Sequence, residues 1–376
     1  IIGFENRGIF DQIHFQYRFG VVTFKDTGST DVVRGIFDQT DTGVLQNHES
    51  KTVKIPRRVL EEYSPNSRIF PNIESEEEVR VLNEILKPPS VGEDLEGSWY
   101  ASLYRELDRA QDSDRFVEDS DKGDYPVYQG KNLFQFAHNN EHVDGLEDIA
   151  LWSVDEEVSE GDSAKARIRG KNFGSRDANI SLKKAVYEKF TEHPEYSHLS
   201  TRSQKGFVND VLTEEHDRPE LSPEDVLLDS TEYRIVLREI ARATDERTVI
   251  AGVIPKGAVA VHTLHTVRPY KVEPKRKNLN DYPMHSAYKR VFSNRELFVA
   301  LGLLNSIPFD YLMRTKVDSH IVKYKFEESQ MPRLQNGDNW FHYISERAAR
   351  LNCYGEGFKE MRERLGGIEP ATNEDE

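Results

Sequence analysis

Cysteine, methionine and tryptophan are scarce in this 376-residue sequence, with one, four and three copies respectively. The single cysteine, Cys353, excludes a disulfide within the chain and any zinc site built from several thiolates. No apolar run approaches the roughly 18 residues of a membrane-spanning helix, and nothing resembles a signal peptide, so we expect a cytoplasmic protein without a membrane segment. The first residue is Ile rather than Met, from which we expect a fragment of a longer reading frame.

Positive charge is also in short supply, because 50 Lys and Arg face 66 Asp and Glu, for a formal net charge of -16. Phosphate contact normally needs a basic footprint, so the overall sign disfavours nucleic-acid binding. The charge is uneven, however: residues 141–162 hold nine acidic and no basic side chains, and residues 256–290 hold eight basic and two acidic. Acidic loops keep proteins soluble in strong salt, which predicts a halophilic source in which base contacts carry more of any DNA binding.

Metal and phosphate motifs are sparse. The acidic stretch 111–124 lacks the ligand spacing of a calcium loop, which favours a solvated loop. His138 and His142 are four residues apart, but Asn139 stands where the zinc-protease motif has glutamate. The basic run 163–176 contains no Gly-Lys-Ser/Thr of a phosphate-binding loop. We therefore expect no metal site.

The most informative pattern lies in residues 231–255, TEYRIVLREIARATDERTVIAGVIP, where two β-rich runs flank a polar turn. In the first run Arg234, Arg238 and Arg242 share one face of a strand because side chains alternate. Arg247 opens the second run. Guanidinium groups suit phosphate oxygens and guanine edges, so the hairpin is a candidate DNA contact. On pattern alone, an edge hairpin with solvated arginines is the simpler interpretation.

This stretch resembles a signature in the C-terminal half of large adenine-N6 DNA methyltransferases, the type IIG restriction-modification enzymes and related phage-defence methylases. Other blocks of the same family are similar to residues 1–24 (IIGFENRGIFDQIHFQYRFGVVTF), 125–136 (YPVYQGKNLFQF) and 297–314, which contain LGLLNSIPFDYLMR. The likeness extends over most of residues 1–365 and is poor at 26–95 and 141–225. It implies the target-recognition part of such an enzyme.

The resemblance implies a division of labour with an upstream part. Adenine methylation needs a glycine-rich turn for S-adenosylmethionine and an Asn/Asp-Pro-Pro-Tyr/Phe loop that holds the flipped base. Neither is in this chain, whose only Pro-Pro pair, Pro88 and Pro89, lies between Lys87 and Ser90. We therefore expect no catalytic residue and no cofactor here, with S-adenosylmethionine bound by the parent enzyme. The expected partners are double-stranded DNA and an upstream methyltransferase domain or subunit.

The predicted fold class is α+β, a mixed β-sheet target-recognition domain with bracing helices, preceded by the last strands of a methyltransferase domain. We expect four consecutive regions. Residues 1–25 end the methyltransferase domain, 26–98 form a helical connector, 99–335 form the DNA target-recognition domain, and 336–376 form closing helices and an acidic tail.

The resemblance and the arginine pattern together give a set of expected DNA contacts. Asn305 and Arg314 are expected to brace the recognition strands more than to touch DNA. Residues 269–290, where Lys and Arg alternate with Tyr, form a second candidate surface, with a solvated loop as the alternative. The full set is Tyr128, Gly130, Lys131, Arg234, Arg238, Arg242, Thr244, Arg247, Thr248, Asn305 and Arg314.

Two other functions remain open. The chain is alternatively a stand-alone DNA-binding specificity subunit of a defence complex, working with a separate methylase. It is also compatible with a non-enzymatic protein-binding scaffold whose arginines pair with acidic partners.

Local patterns predict several individual elements. Proline at a helix start and a Ser75–Glu78 capping box predict helices at 56–63 and 75–86. Further helices are expected at 294–317, broken by Pro308, and near 340–351 and 358–365. Alternation predicts strands whose expected bounds are 15–21 with a buried extension to 24, 31–37, 99–107 and 258–267. Residues 200–228 are expected to be a polar connection containing a turn.

Overall fold

The computed structural model describes residues 1–15, 17–112, 116–117, 125–138, 152–154, 199–218, 220–273 and 275–372. The sequence also predicts a short helix at residues 181–191, and this segment lies outside the described residues, as do the basic run 163–176 and most of the acidic run 141–162. The chain groups into two compact units. The first unit comprises Ile1–Ser102, Ile240–Val249 and Leu303–Gln335, and the second comprises Leu103–Glu239, Ile250–Gly302 and Asn336–Glu376. Each unit is assembled from three separate segments, unlike the four consecutive regions expected.

Helices and small sheets are mixed along the chain, as the α+β class predicts. The helices are α1 (Arg57–Tyr63), α2 (Glu76–Ile85), α3 (Thr201–His216), α4 (Asn294–Leu304), α5 (Ile307–Lys316), α6 (Lys323–Glu327), α7 (Phe341–Asn352) and α8 (Lys359–Arg364). The strands are β1 (Ile2–Glu5), β2 (Arg18–Val21), β3 (Val32–Gln39), β4 (Val53–Pro56), β5 (Leu103–Tyr104), β6 (Phe116–Val117), β7 (Pro126–Tyr128), β8 (Trp152–Val154), β9 (Arg234–Arg238), β10 (Ala251–Ile254), β11 (Val259–Ala260), β12 (Leu264–Val267), β13 (Tyr270–Val272) and β14 (Tyr288–Arg290).

The first unit contains a four-stranded sheet in the order β2-β1-β3-β4. β1 pairs antiparallel with β2 and parallel with β3, and β3 pairs antiparallel with β4. The prediction of a buried strand end at residues 21–24 is wrong. Val21, Val22 and Phe24 are 44%, 57% and 83% exposed because β2 is an edge strand.

The helices of the first unit follow their local signals. Ser75 caps α2 by accepting a hydrogen bond from the Glu78 backbone at 3.2 Å, which confirms half of the predicted capping box. The Glu78 carboxylate accepts from the Glu74 backbone at 2.6 Å and not from the Ser75 backbone, so the reciprocal bond of the box is absent. Pro308 lies in the first turn of α5, whose N-cap is Ser306, and the predicted break before this proline is confirmed. The core of the unit is an apolar cluster that α1, α2 and β4 share with Leu312 of α5.

Lys316 is a charged group inside the first unit. Its Nζ lies 4.6 Å from the Tyr63 ring and donates to the Glu328 carbonyl at 3.4 Å, and only 4% of the residue is exposed. Burial lowers the pKa of Lys316 to about 7, against the attraction of Glu328 and with the help of Lys325. An unfolded lysine titrates near 10.4. The two states therefore bind different numbers of protons between these values.

We expect stability to rise with pH through this window, because the unfolded chain holds more protons above pH 7. The slope approaches about 1.4 kcal/mol per pH unit from this residue. Urea unfolding between pH 7 and 8.5 measures it. Lys316→Met is expected to remove the slope, whereas Lys323→Met, at an exposed site, is expected to keep it. An unchanged slope in the first variant contradicts this account. Above that range Cys353 acts oppositely, since burial raises the pKa of its thiol.

The second unit contains two four-stranded sheets among its described residues, in the orders β10-β9-β12-β5 and β11-β7-β8-β6, and a β13-β14 ribbon. The strand expected at 258–267 is divided. β11 pairs parallel with β7, and β12 pairs antiparallel with β9, so the chain changes sheets between them. The strand expected at 99–107 is reduced to β5, which pairs with the end of β12.

The polar connection expected at residues 200–228 is wrong, because α3 occupies its first half. The Ser200 hydroxyl caps α3 by accepting from the Ser203 backbone at 3.2 Å. Val208, Val211 and Leu212 pack into an apolar cluster with residues that include Met284. Their helical spacing is the signal that the polar neighbours obscured. The closing helices are confirmed as α7 and α8.

Candidate nucleic-acid interface

The predicted arginine hairpin forms, with shorter strands than expected. β9 and β10 pair antiparallel, with Leu237 opposite Ala251 and Arg234 opposite Ile254. Both strands belong to the second unit, whereas residues 240–249 between them belong to the first. We call residues 240–249 the arginine loop.

Two side chains of α5 hold the backbone of the arginine loop. The Arg314 guanidinium donates to the carbonyls of Ala243 at 2.7 Å and Glu246 at 3.0 Å. The Asp310 Oδ1 atom accepts from the backbone N–H groups of Thr248 and Val249, both at 2.8 Å. Four backbone groups, which would otherwise need water or each other, are thus satisfied by two side chains one helical turn apart.

Asp310 and Arg314, which we call the brace, carry charges that compensate one another. Arg314 donates to Asp310 Oδ2 at 3.1 Å, and the Arg247 Nε atom lies 3.9 Å from Asp310 Oδ1. Arg247 also donates to the Asn305 carbonyl. Asp310 is only 5% exposed, so two guanidinium groups accompany a nearly buried carboxylate. The Asn305–Arg314 block, expected to brace the recognition strands, thus holds the loop between β9 and β10.

Further hydrogen bonds shape the loop from within. The Arg242 backbone N–H donates to the Asp245 carboxylate at 3.0 Å, and the Thr248 hydroxyl donates to the Arg242 carbonyl at 3.2 Å. At its start, the Ala241 N–H donates to the Ser319 carbonyl at 3.1 Å. The loop is therefore held at its start, its middle and its end. Because the loop is already ordered, little conformational entropy is lost when a partner binds it.

The tip of the arginine loop faces solvent. Arg242, Thr244, Asp245 and Glu246 are exposed, while Thr248 and Val249 are buried. The tip offers guanidinium donors, a hydroxyl and two carboxylates. In the major groove a guanidinium matches guanine and a carboxylate accepts from the cytosine amino group. Two carboxylates beside a phosphate are unfavourable, so this chemistry suits base edges better than the DNA backbone.

The predicted arginine face is wrong at its first member, because Arg234 is fully buried. Its guanidinium pairs with Glu106 at 2.9 Å and also donates to the Ala258 carbonyl. Glu106 accepts in addition from the Ala260 N–H at 2.7 Å. Burial raises the pKa of Glu106, and the Arg234 charge opposes that rise. Arg234 is therefore an interior ion pair of the second unit and not a DNA contact. Glu106, the one acidic residue of the 99–107 segment, was the available signal.

Three other expected contacts also have structural roles. Arg238 is half-buried and donates to the Leu133 carbonyl. Thr248 and Asn305 are 1% and 6% exposed, and both support the arginine loop through the contacts described above. Of the expected DNA contacts in this region, Arg242 and Thr244 are exposed at the tip of the loop. Arg247 and Arg314 are partly exposed beside it.

The turn expected to approach DNA at residues 128–131 lies in the second unit. Tyr128 is buried in an apolar cluster with Leu133 and Val236. The Gly130 N–H donates to the Thr263 hydroxyl at 2.9 Å, and a Cβ at this position would lie 3.3 Å from the Thr263 carbonyl oxygen. The close approach expected of Gly130 is thus to the chain's own backbone, without a positive φ. Lys131 is exposed beside it.

The basic stretch 269–290 is partly neutralised by its own unit. Glu273 pairs with Lys271 at 2.8 Å and with Lys289, and hydrogen bonds from these two ammonium groups lower the pKa of Glu273 to about 2. Arg290 pairs with Glu232 at 3.1 Å. Lys275 and Lys277 are exposed, as is Tyr282, whose ring lies 4.9 Å from the Arg218 guanidinium. The second candidate surface is thus smaller than its sequence indicates.

The Pro-Pro pair and His138 both make contacts within the chain. Pro88 and Pro89 follow α2, and the Pro89 carbonyl accepts from the Met331 backbone at 3.0 Å, so they do not form a base-holding loop. Within the ranges that the structure describes, no group of three or more His, Cys, Asp or Glu side chains is arranged to hold a metal. His138 stacks on Tyr354 at 4.4 Å and is not on a helix, and His142 lies outside those ranges.

In the part of the chain that the structure describes, no single helix is long and apolar enough to cross a membrane, and only α4 and α5 joined together satisfy length and composition. No protein-family model matches the chain, and no curated protein matches it.

Proposed function

We propose that this chain recognises a DNA sequence on behalf of a site-specific adenine-N6 DNA methyltransferase of a restriction-modification or phage-defence system. Methyl transfer from S-adenosylmethionine is carried out by a part that these 376 residues do not contain. The target is double-stranded DNA in the cytoplasm.

The observation that carries the proposal is the braced arginine loop. Its backbone is fixed by Asp310 and Arg314, and its exposed tip presents Arg242 and Thr244. Sequence readers work best when base-contacting groups are held in place before binding, because little ordering entropy is then lost. The stretches that supply tip and brace are two of the stretches that resemble the methyltransferase family.

The net charge of -16 makes a phosphate-dominated contact unfavourable. A base-reading tip is compatible with this charge, since hydrogen bonds to base edges do not require a basic surface. In a halophilic cytoplasm the salt that weakens phosphate contacts would also screen the repulsion between an acidic protein and DNA.

Selection from a pool of random duplex DNA at low and high salt, followed by sequencing, tests the proposal. We expect an enriched motif whose affinity falls by about tenfold to 100-fold in Arg242→Ala, the cost of losing a good base contact. The matched control is Arg80→Ala, which removes the same charge from an exposed site of α2 in the same unit. It is expected to leave affinity and motif unchanged.

Other results favour the alternatives. Retention of DNA without an enriched motif contradicts sequence recognition and leaves a non-specific clamp. An absence of DNA retention at any salt concentration favours the protein-binding scaffold. If a motif is enriched but Arg80→Ala and Arg242→Ala lower the affinity for it equally, DNA remains the partner and the arginine loop is not the part that recognises it.

A further inference from the structure

The four-stranded sheet of the first unit has two different faces. On one face, Val53 and Ile55 of β4 pack into the apolar cluster shared with α1 and α2. Side chains alternate along a strand, so Lys54 lies on the opposite face. The register sets Arg34 of β3 directly opposite Lys54, and residues opposite one another in an antiparallel pair share a face. A guanidinium and an ammonium group are therefore neighbours on the second face.

The backbone brings these two like charges close together. The Lys54 N–H donates to the Glu76 carboxylate at 2.9 Å, and the Arg34 carbonyl accepts from the backbone nitrogen of Ile1 at 2.8 Å, so both groups point away from the gap between β3 and β4. Arg34 and Lys54 are thus a pair without mutual backbone hydrogen bonds, the kind whose side chains come closest. Like charges directly opposite one another destabilise a sheet.

The two cations have no counter-charge in the described protein. Arg34 and Lys54 are exposed, and within the ranges that the structure describes no side chain forms an ion pair or a hydrogen bond with either charged group. Arg57, three residues after Lys54, by contrast donates to the Glu61 carboxylate at 2.8 Å. A chain with 66 acidic residues thus pairs none of the described ones with these two cations. A bound anion would remove the repulsion between them.

A cavity of about 530 Å³ opens beside the cationic pair. Arg34 and Lys54 line it together with His48, Glu49 and Thr52 of the connection between β3 and β4. Glu49 is the one carboxylate among its described lining residues. β1 and β2 supply mostly apolar lining, so the charged end of the cavity belongs to β3, β4 and their connection.

We propose that the charged end of this cavity binds a phosphate group between Arg34 and Lys54. Phosphate oxygens accept from a guanidinium and an ammonium group at once, and their negative charge replaces repulsion with attraction. A phosphate presents more acceptor oxygens than a carboxylate, which suits two donors that approach from separate strands. The phosphate belongs either to the backbone of bound DNA or to a free anion. The site lies outside the arginine loop, so it goes beyond sequence recognition and does not depend on it.

The net charge of -16 weakens such a site but does not remove it. At about 0.1 M salt, exposed charges more than roughly 10 Å apart are largely screened, whereas Arg34 and Lys54 touch the bound phosphate. The charge of the residues around the cavity therefore decides whether it takes an anion.

Thermal unfolding in phosphate and in chloride solutions of equal ionic strength tests the cavity, with inorganic phosphate as the probe. We expect phosphate to raise the melting temperature above its value in chloride, because a ligand of the folded state stabilises that state. Arg34→Gln and Lys54→Gln each remove one donor and are expected to raise the dissociation constant for phosphate on the order of tenfold. In chloride both variants should be at least as stable as the wild-type chain, since the repulsion is gone. The matched control, Arg80→Gln at an exposed site of α2, should keep the phosphate effect.

Titration of duplex DNA over a range of salt concentrations identifies the source of the phosphate. A DNA backbone phosphate in the cavity predicts that Lys54→Gln weakens binding of selected and unrelated duplexes alike, and that it lowers the salt slope of the affinity by about one. A free anion predicts an unchanged slope. In either case the motif selected by the arginine loop stays the same, so this test is separate from that of Arg242→Ala.

A phosphate effect of equal size in the wild-type chain and in both cavity variants overturns the proposal, because the anion then binds elsewhere. Equal melting temperatures in phosphate and chloride, together with an unchanged salt slope in Lys54→Gln, overturn it as well. Lower stability of both variants in chloride would contradict the uncompensated pair, since the protein itself would then stabilise the two cations. Arg34 and Lys54 are exposed, so both variants are expected to fold, which circular dichroism checks.

Discussion

Asp310→Ala is expected to lower the free energy of unfolding by about 3–5 kcal/mol, because it removes the acceptor of two buried backbone N–H groups and the negative charge that accompanies two guanidinium groups in a nearly buried site. Affinity for the selected DNA sequence is expected to fall at least as far as in Arg242→Ala. The reason is that the arginine loop loses its fixed shape. Urea unfolding and titration of the selected duplex measure the two effects.

Asp318→Ala is the matched control for this change. Its carboxylate is 68% exposed and pairs with Lys325 at 3.0 Å, so its removal is expected to cost less than about 1 kcal/mol. Asp310→Asn keeps one oxygen as the acceptor for the backbone N–H groups but removes the negative charge beside Arg314. Its cost in unfolding free energy should therefore fall between those of Asp310→Ala and Asp318→Ala. Equal stability of Asp310→Ala and Asp318→Ala would show that the brace does not hold the loop.

The buried pair of Arg234 and Glu106 gives the second large effect. Glu106→Gln leaves the buried Arg234 guanidinium without the carboxylate that it pairs with, at an expected cost of about 3–5 kcal/mol. Arg234→Met is expected to cost less. Burial already raises the pKa of Glu106, so that carboxyl can take up a proton, whereas a guanidinium does not lose its own. Thermal or urea unfolding at neutral pH measures the difference.

A double replacement completes the test. Glu106→Leu with Arg234→Met removes both charges and is expected to be more stable than Glu106→Gln alone. Glu61→Gln, in a pair with Arg57 at the surface of α1, is expected to cost less than about 1 kcal/mol. If Arg234→Met instead changes the DNA motif at full stability, the interior assignment of Arg234 is contradicted.

Local signals in the sequence predicted much of the first unit. The Ser75 and Glu78 pair marked the start of α2, and Pro308 marked the start of α5, because capping and proline effects act within one helical turn. The pairing of β9 with β10 followed from two β-rich runs around a polar turn. The helix α3 was missed although its apolar spacing was available, since Gly206 and polar neighbours disfavour a helix locally.

The sequence does not show which residues far apart in the chain pair with one another. The fate of Arg234 depends on Glu106, which lies 128 residues earlier in the chain. The role of Asp310 as acceptor for Thr248 and Val249 spans more than 60 residues. The family resemblance pointed to a bracing block, but only the fold shows which atoms it holds. The exposed edge of β2 likewise depends on the order of strands in the sheet, which alternation within one strand does not determine.

Base reading by the tip of the arginine loop is what the proposed function depends on most. Its most direct test is a photo-crosslinking amino acid introduced at Thr244, an exposed tip position, with the same amino acid at Arg80 of α2 as control. The proteins are irradiated on the duplex selected from the random pool, and the crosslinked nucleotide is mapped. We expect position 244 to crosslink to a base within the enriched motif and position 80 to give no crosslink there. A motif-bound complex in which position 244 never crosslinks to that motif would contradict the claim.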